Sequence, residues 1–350
     1  MLLGLGVRWW RSAPRSGLVP PPRVATPAQK NGRAITRRPP APLAVALTPS
    51  TESSPQVLNP DDEPRPVPPE AIERYLERNG RNAASLLAAM VVAEDGEVYL
   101  REAAQRFSSD PRVQWAVLYR NLFPEQRREW LDRFLQSAPE NCIAAYISAR
   151  EHFNAGNTAA GLRDLVEAGR RASYDDYTLA TMHDVEQLYM EGSRPVLEAK
   201  FDAFAKAQMP QLAQLKRLGQ DMVTLRDQYL VAGDLASARA MEQMILSLAD
   251  RLTTGEGGRF LIGQLVGVAL ERQLVDRLPA EGGLELLGMT AAQRREELTA
   301  WKTTLKAGVP DLEVLLRQAS EAEAISYFDR LKSVGELEAM RWWQNRRAQP

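Results

Sequence analysis

Apolar residues recur at intervals of three and four along the chain after Pro69, which is the spacing of one face of an α-helix. In residues 157–173, Leu162, Leu165 and Val166 mark one such stripe. Gly, Pro or Asn repeatedly interrupts the pattern, as expected where helices begin and end. No alternating run of β-branched residues of convincing length intervenes. The pattern therefore predicts an all-α chain built of helical hairpins.

One early segment allows two interpretations. Asn82 is a plausible N-cap for the Ala-rich run that follows it, and Gly96 is a plausible stop for that helix. The stretch "VVAEDGEVYL" also contains Asp95-Gly96, which is typical of a two-residue β-hairpin. The Ala-rich run before it and "REAAQRF" after it favour helices, so we predict two helices here.

Residues 1–68 have a composition unlike the rest. Fifteen of the 23 prolines lie between Pro14 and Pro69, and residues 1–51 carry eight Arg or Lys and no acidic residue. Proline fixes φ and removes a backbone donor, so neither helix nor sheet propagates. We therefore predict a disordered, basic, Pro-rich tail. A secretory or anchoring signal, an organelle signal and an over-extended gene start are the alternatives.

The remainder divides into two predicted parts, a helical repeat region over residues 69–256 and a C-terminal helical region, residues 257–350, packed on it. The second part contains the most apolar stretch of the chain, residues 260–270, where Gly263 and Gly267 stand four apart. A bilayer-spanning helix needs about 20 apolar residues, so this stretch is too short. We predict a buried helix whose glycines admit a close neighbour, and no transmembrane span.

Two turns are near copies of each other, "NAGNTAAGL" around Gly156 and "VAGDLASAR" around Gly233. In each turn, glycine permits the left-handed residue that ends one helix, and Asn157 or Asp234 caps the next. These turns resemble those of the tetratricopeptide repeat (TPR), a helix pair of about 34 residues. The resemblance implies a TPR-like α-solenoid of degenerate repeats, followed by a C-terminal helical bundle portion.

The resemblance also assigns packing and turn roles to matching positions. In the first copy these are Ala149, Gly156, Asn157, Gly161, Leu165 and Ala168, and in the second copy they are Leu225, Tyr229, Gly233, Asp234 and Ala238. Arg226 departs from the pattern, because the family has a small residue there. This departure puts close packing of the second helix pair in doubt.

A stacked array of such helix pairs has a concave surface that holds peptides or protein segments. The phase counted from Cys142 turns Ala149 toward the partner helix. The same phase predicts that the groove is lined by Ile143, Tyr146, Arg150 and Phe153. The alternative is that Tyr146 and Phe153 make ordinary contacts to the next helix pair.

Residue types for catalysis or metal binding are scarce. The chain has one cysteine, Cys142, and two histidines, His152 and His183. Ten residues along one helix separate Cys142 from His152 by about 15 Å, too far for a nucleophile pair. His183 stands beside Asp184, but the second E-x-x-H of a bundle di-metal site is missing. No phosphate loop, nucleophile elbow or H-E-x-x-H pair is present, so we predict no catalytic residue, metal or cofactor.

An Arg-Trp-Trp triplet stands near each end of the chain. In the second triplet, Trp343 extends an apolar stripe that includes Phe328 and Leu331, and the arginines that follow are predicted as solvated cations at a helix end. The first triplet, with Trp9 and Trp10, falls in the predicted tail. An interfacial anchor is the alternative, because Trp and Arg together favour a membrane surface.

From Pro69 onward the chain carries 35 basic and 41 acidic residues, so it offers no general attraction for nucleic acid. The sequence therefore predicts a non-catalytic protein-interaction or scaffold module with a protein or peptide partner. An envelope-associated structural helical protein tethered by its N-terminus is the alternative, and an enzyme is the third. The sequence assigns no compartment, cytoplasmic or extracytoplasmic.

Overall fold

The computed structural model describes residues 66–281, 283–284, 287–308 and 316–347, in which α-helices follow one another along the chain. The helices are α1 (Pro69–Arg78), α2 (Ala83–Val92), α3 (Gly96–Arg106), α4 (Pro111–Arg120), α5 (Arg127–Ser137), α6 (Ile143–Asn154), α7 (Thr158–Arg170), α8 (Thr178–Glu191), α9 (Val196–Ala205), α10 (Gln211–Val231), α11 (Leu235–Thr253), α12 (Leu261–Val275), α13 (Ala291–Gly308), α14 (Glu321–Val334) and α15 (Glu336–Arg347). The predicted all-α class is confirmed. The predicted tail lies outside the described residues except for 66–68.

The only strands in the described residues are two short ones that precede α13. β1 (Gly283–Leu284) pairs antiparallel with β2 (Met289–Thr290). With two residues each, these strands form a local turn and not a layer of the fold.

The segment with two interpretations forms helices. The Asn82 side chain accepts a hydrogen bond from the Ser85 amide at 2.8 Å, which caps α2 as predicted. The β-hairpin alternative at Asp95-Gly96 is wrong, and so is the stop at Gly96, because α2 already ends at Val92 and Gly96 opens α3. A Cβ atom at Gly96 would lie 2.0 Å from the Met90 carbonyl oxygen. Glycine is therefore needed there for close approach of the two helices.

Most helices pack against their neighbours in the chain, but α8 and α9 leave that order. α4 packs on α5, α5 on α6, α6 on α7, and α10 on both α11 and α12. α8 packs on α1 and α2, and α9 packs on α8 and on α14. As a result α6 packs directly against α10, and α7 contacts α11, although α8 and α9 lie between these hairpins in the sequence.

Most buried apolar side chains of the helices form one connected core, from Ile72 to Trp343, and Val275 and Ala291 form a small second cluster. Aromatic contacts join its early and late parts, since the Phe204 ring lies 6.5 Å from Phe260 and 5.9 Å from Phe328. Rings at these centroid separations contribute beyond the area they bury. The helices α12, α14 and α15 therefore share the core of the preceding helices.

The apolar helix α12 is buried as predicted, with Gly263 and Gly267 in its buried face. A Cβ atom at Gly267 would lie 2.7 Å from the Ala249 carbonyl oxygen of α11. Gly267 therefore admits α11 at close range, and Gly263 admits the backbone of Gly257, whose carbonyl oxygen lies 2.2 Å from a Cβ atom at position 263. None of the helices in the described ranges has both the length and the apolar character needed to cross a bilayer.

Four charged side chains tie α8 and α9 to α14. Lys200 donates to Glu186 at 2.8 Å and to Asp329 at 2.5 Å, and Lys332 donates to Glu186 at 2.6 Å. Glu186 is 4% exposed and Lys200 is 8% exposed. Burial alone would lower the pKa of Lys200, but the hydrogen bonds to Asp329 and Glu186 outweigh it and the pKa is raised. Lys200 therefore stays protonated between the helices.

The C-terminal Arg-Trp-Trp triplet divides between core and surface. Trp343 is buried and continues the predicted stripe. The Trp342 ring lies 4.5 Å from the Arg330 guanidinium and 5.8 Å from that of Arg346. Arg346 and Arg347 are exposed cations in the last turn of α15, as predicted, and the Arg347 guanidinium also lies 4.9 Å from the Trp343 ring.

Candidate functional site

The two near-copied turns have the same backbone geometry. Gly156 has φ +76° and Gly233 has φ +75°, the left-handed conformation that favours glycine. Asp234 caps α11 by accepting a hydrogen bond from the Ser237 amide at 3.1 Å. Asn157 occupies the equivalent cap position of α7 but makes no side-chain cap bond. Each turn closes a hairpin, α6–α7 in one case and α10–α11 in the other.

The residues assigned to packing roles lie in the core. They are Ala149, Leu165, Ala168, Leu225, Tyr229 and Ala238. Gly161 is also in contact with a neighbour, because a Cβ atom there would lie 2.5 Å from the Phe153 ring. α6 and α7 therefore approach too closely at this point for any larger residue.

Arg226 does not loosen the second hairpin. It is 5% exposed, and its Nε atom donates to Glu242 of α11 at 2.8 Å. Its Nη1 atom donates to Asp227 at 2.9 Å. A buried ion pair therefore closes α10 against α11 where the family pattern has small residues.

The predicted groove residues do not line a groove, and this prediction is wrong. Ile143, Tyr146 and Phe153 are 0, 2 and 3% exposed. Arg150 lies 3.1 Å from Asp221 of α10. α6 contacts α5, α7 and α10. Its side chains therefore bind neighbouring helices on several sides, which is the alternative interpretation of Tyr146 and Phe153.

A groove does exist between two parts of the chain, with α2 and α4 on one side and the later helices α8 and α9 on the other. We call it the four-helix groove. It encloses about 40 Å³ of space. Its apolar lining is Leu87, Met90, Val91, Trp115, Ala116, Tyr119, Met182, Val185, Ala203 and Ala207, and its polar lining is Arg112, Asp176, Tyr177, Thr178, Thr181, Lys206 and Gln208. An apolar surface with a few polar groups is typical of binding sites, although small-molecule pockets usually enclose about 300 Å³ or more.

The polar groups of the four-helix groove gather at the start of α8 and the end of α9. Asp176 accepts hydrogen bonds from the Thr178 amide at 3.1 Å and from Gln211 at 2.5 Å, and burial raises its pKa. Arg112 donates to Asp184, but its buried Nε atom has no hydrogen-bond partner. Lys206 follows the last turn of α9 and is exposed. The described residues place no carboxylate within ion-pair distance of it.

The backbone that enters α8 is also unusual. Tyr177 has φ +57°, a left-handed conformation that costs energy for a residue with a side chain. Asp175 accepts a hydrogen bond from the Tyr177 amide at 2.7 Å, and Asn141 donates to the Asp175 carbonyl oxygen at 2.6 Å. These two hydrogen bonds therefore hold the strained turn that places Tyr177 at the groove.

Sequence reasoning did not identify the four-helix groove. Trp115 and Tyr119 stand four residues apart in α4, which is also the spacing of an ordinary core stripe. Met182 comes from α8, and nothing local in the sequence indicates that α8 returns to α2. The site depends on the packing of α8 on α2, so no local sequence motif could have predicted it.

One cluster contains the residue types of a hydrolytic triad, Ser148, His152 and Asp164, but its hydrogen bonds are not those of a triad. Ser148 donates to Asp164 at 2.6 Å, and His152 lies 3.6 Å from the same carboxylate. Arg128 donates to Ser148 at 2.8 Å. Ser148 is 0% exposed. A nucleophilic serine needs access to substrate and a base that takes its proton, and here the carboxylate holds both partners. The cluster joins α5, α6 and α7.

The remaining reactive side chains do not come together in one site. Cys142 is buried, and burial raises its pKa to about 11, which keeps the thiol protonated. His183 is exposed on α8, whereas Glu186 on the same helix is buried against two lysines. Nowhere in the described part of the chain do three or more His, Cys, Asp or Glu side chains gather as metal ligands.

No protein-family model matches the chain, and comparisons with curated proteins and with solved structures found no significant match.

Proposed function

We propose that this protein is a non-catalytic protein-interaction module, built as a TPR-like α-solenoid, that holds a segment of a partner protein in the four-helix groove. The direct packing of hairpin α6–α7 on hairpin α10–α11 carries this proposal. Like helices face each other, α6 against α10 and α7 against α11, as in neighbouring units of a helical repeat array. The similar turns at Gly156 and Gly233 support the same interpretation.

The dimensions of the four-helix groove favour a protein segment as its ligand. Its space of about 40 Å³ suits an aliphatic side chain and is far below that of a metabolite pocket. The partly exposed apolar side chains of the lining are those of Val91, Tyr119 and Ala207, whereas Met90 and Trp115 are 3% and 5% exposed. Thr181 and Gln208 offer hydrogen-bonding groups at the edge for a partner backbone.

Site-specific photo-crosslinking in the native cells tests the proposal. A photoreactive phenylalanine analogue is placed at Thr181, which lines the four-helix groove, and as a matched control at Ala205, which is exposed on α9 outside the groove lining. We expect protein crosslinks from position 181 and few from position 205. Equal crosslinking at both positions, or none at either, would contradict the proposal.

A further inference from the structure

The turn between α10 and α11 is an exposed apolar surface, which we call the tip and define as residues 230–236. Val231 is 91% exposed, Leu235 is 59% exposed and Leu230 is 37% exposed. Ala232 and Ala236 are exposed as well, and the polar side chain of the tip is that of Asp234. Contiguous exposed apolar side chains in a soluble domain mark interaction sites.

The tip projects because the second hairpin is longer than the first. The Arg150–Asp221 pair aligns α6 with α10. α6 ends four residues after Arg150, at Asn154, whereas α10 continues for ten residues after Asp221, to Val231. A difference of six residues corresponds to about 9 Å of helix. Hairpin α6–α7 therefore does not reach far enough to cover the tip.

The tip is too small to form an interface by itself. A stable protein interface buries roughly 800 Å² on each partner, more than three aliphatic side chains supply. The side chains of a projecting apolar tip contribute most to the free energy of binding when they enter a concave apolar site, because they are then fully removed from water. The partner of the tip should therefore have a small apolar depression.

The four-helix groove has the complementary properties. It is a concave site with a mixed apolar and polar lining, and its space suits one aliphatic side chain. Lys206 stands at its edge with an exposed side chain. The tip brings one carboxylate, Asp234, between its apolar side chains. Shape, apolar character and charge therefore match between two surfaces of the same chain.

We propose that the tip of one copy occupies the four-helix groove of a second copy, with Val231 or Leu235 in the groove and Asp234 near Lys206. This inference rests on the proposed function, because it names the partner segment for that groove. Tip and groove lie on different helices, so each copy offers both surfaces. Such a contact is head to tail, and it extends into a chain of copies unless the geometry closes a ring.

Sedimentation velocity of the full chain over a range of concentrations tests this contact. We expect the wild type to form dimers and larger species. Val231→Glu in the tip and Ala207→Arg in the groove should each weaken self-association about tenfold or more, because each places a charge in an apolar contact. Val196→Glu and Ala205→Arg are matched controls at exposed positions outside both surfaces, and they should associate as the wild type does. Circular dichroism checks that each variant is folded.

Mixing the two variants gives the decisive result. Val231→Glu keeps an intact groove and Ala207→Arg keeps an intact tip, so a mixture should form a one-to-one complex and no larger species. The inference would be overturned if the wild type stays monomeric or if the mixture forms no complex. It would also be overturned if only the tip variant loses association, because that result would indicate a tip-to-tip contact. Val231-dependent flotation with phosphatidylglycerol vesicles and no self-association would overturn it as well. In each case crosslinks from Thr181 to a different protein would leave the proposed function standing.

Discussion

The Arg226 guanidinium is buried against the Glu242 carboxylate, with Nε 2.8 Å and Nη2 2.7 Å from the same oxygen atom. This pair joins α10 to α11 at the position where the TPR pattern has a small residue. The second hairpin therefore depends on an electrostatic contact, whereas the first depends on Gly161 and Phe153.

Removal of Arg226 should weaken the second hairpin strongly. Arg226→Ala leaves the Glu242 carboxylate without its main cation and creates a void, so we expect a loss of about 3 kcal/mol in the free energy of unfolding. Arg239→Ala, on the exposed face of the same hairpin, is the control and should change it by less than about 0.5 kcal/mol. Urea denaturation followed by circular dichroism measures both. Equal effects of the two variants would show that the ion pair does not hold the hairpin closed.

The first hairpin offers a comparison within one helix. Gly161→Ala places a methyl group 2.5 Å from the Phe153 ring and should cost about 1–3 kcal/mol. Gly169→Ala, near the other end of α7, meets nothing within 4 Å and should stabilise the protein by about 0.4–1 kcal/mol. Thermal denaturation of the two variants should therefore give midpoint shifts of opposite sign. Stabilisation by both substitutions would mean that α6 and α7 are not in close contact.

The network around Glu186 should respond unequally to loss of its two lysines. Lys200→Met removes the buried cation that contacts both Glu186 and Asp329, and Lys332→Met removes a more exposed one. We expect the first substitution to cost about 3 kcal/mol and the second about 1 kcal/mol. Chemical denaturation of both variants tests this order. A larger effect of Lys332→Met would indicate that the Lys332–Glu186 contact, and not the contacts of Lys200, is the main tie between α14 and the other helices.

The Arg81–Glu102 pair gives a pH-dependent contribution to stability. Arg81 donates to both oxygens of Glu102, at 2.9 and 2.5 Å, and these hydrogen bonds lower the pKa of Glu102 to about 2. The folded-state pKa lies below the unfolded value of 4.5. The contribution is therefore fully present above pH 4.5 and is lost as the pH falls through about 2.

Glu102→Gln isolates that contribution. The variant should be less stable than the wild type by about 1 kcal/mol at pH 7, because the pair is partly exposed and solvent weakens it. The difference should shrink toward zero between pH 4.5 and 2. Unfolding free energies of both proteins across this range check the prediction, and a difference that stays constant with pH would rule out the ion pair as its source.

The helices could be predicted from the sequence because their signals are local. Asn82, Gly156 and Gly233 act within a few residues of their own positions, so caps and turns follow from residue type. Gly263 and Gly267 likewise indicated a close neighbour, although not that the neighbour is α11.

The site could not be predicted, because it depends on contacts between distant helices. α6 is apolar around most of its surface, since α5, α7 and α10 all pack on it, so periodicity could not separate a groove face from a core face at Tyr146 or Phe153. The four-helix groove requires α8 to return to α2, which no local pattern encodes. Arg226 departs from the TPR pattern. Only the structure shows that it pairs with Glu242, sixteen residues later.

Direct packing of hairpin α6–α7 on hairpin α10–α11 is the claim on which the proposed module rests, and a charge-exchange cycle at Arg150 and Asp221 tests it most directly. Arg150→Asp and Asp221→Arg each bring like charges together and should each lower the free energy of unfolding by about 1–2 kcal/mol. The double variant restores an opposite-charge pair across α6 and α10, and we expect it to recover at least half of the summed loss. Simple additivity of the two losses would show that these side chains do not meet, and would contradict the stacking of the two hairpins.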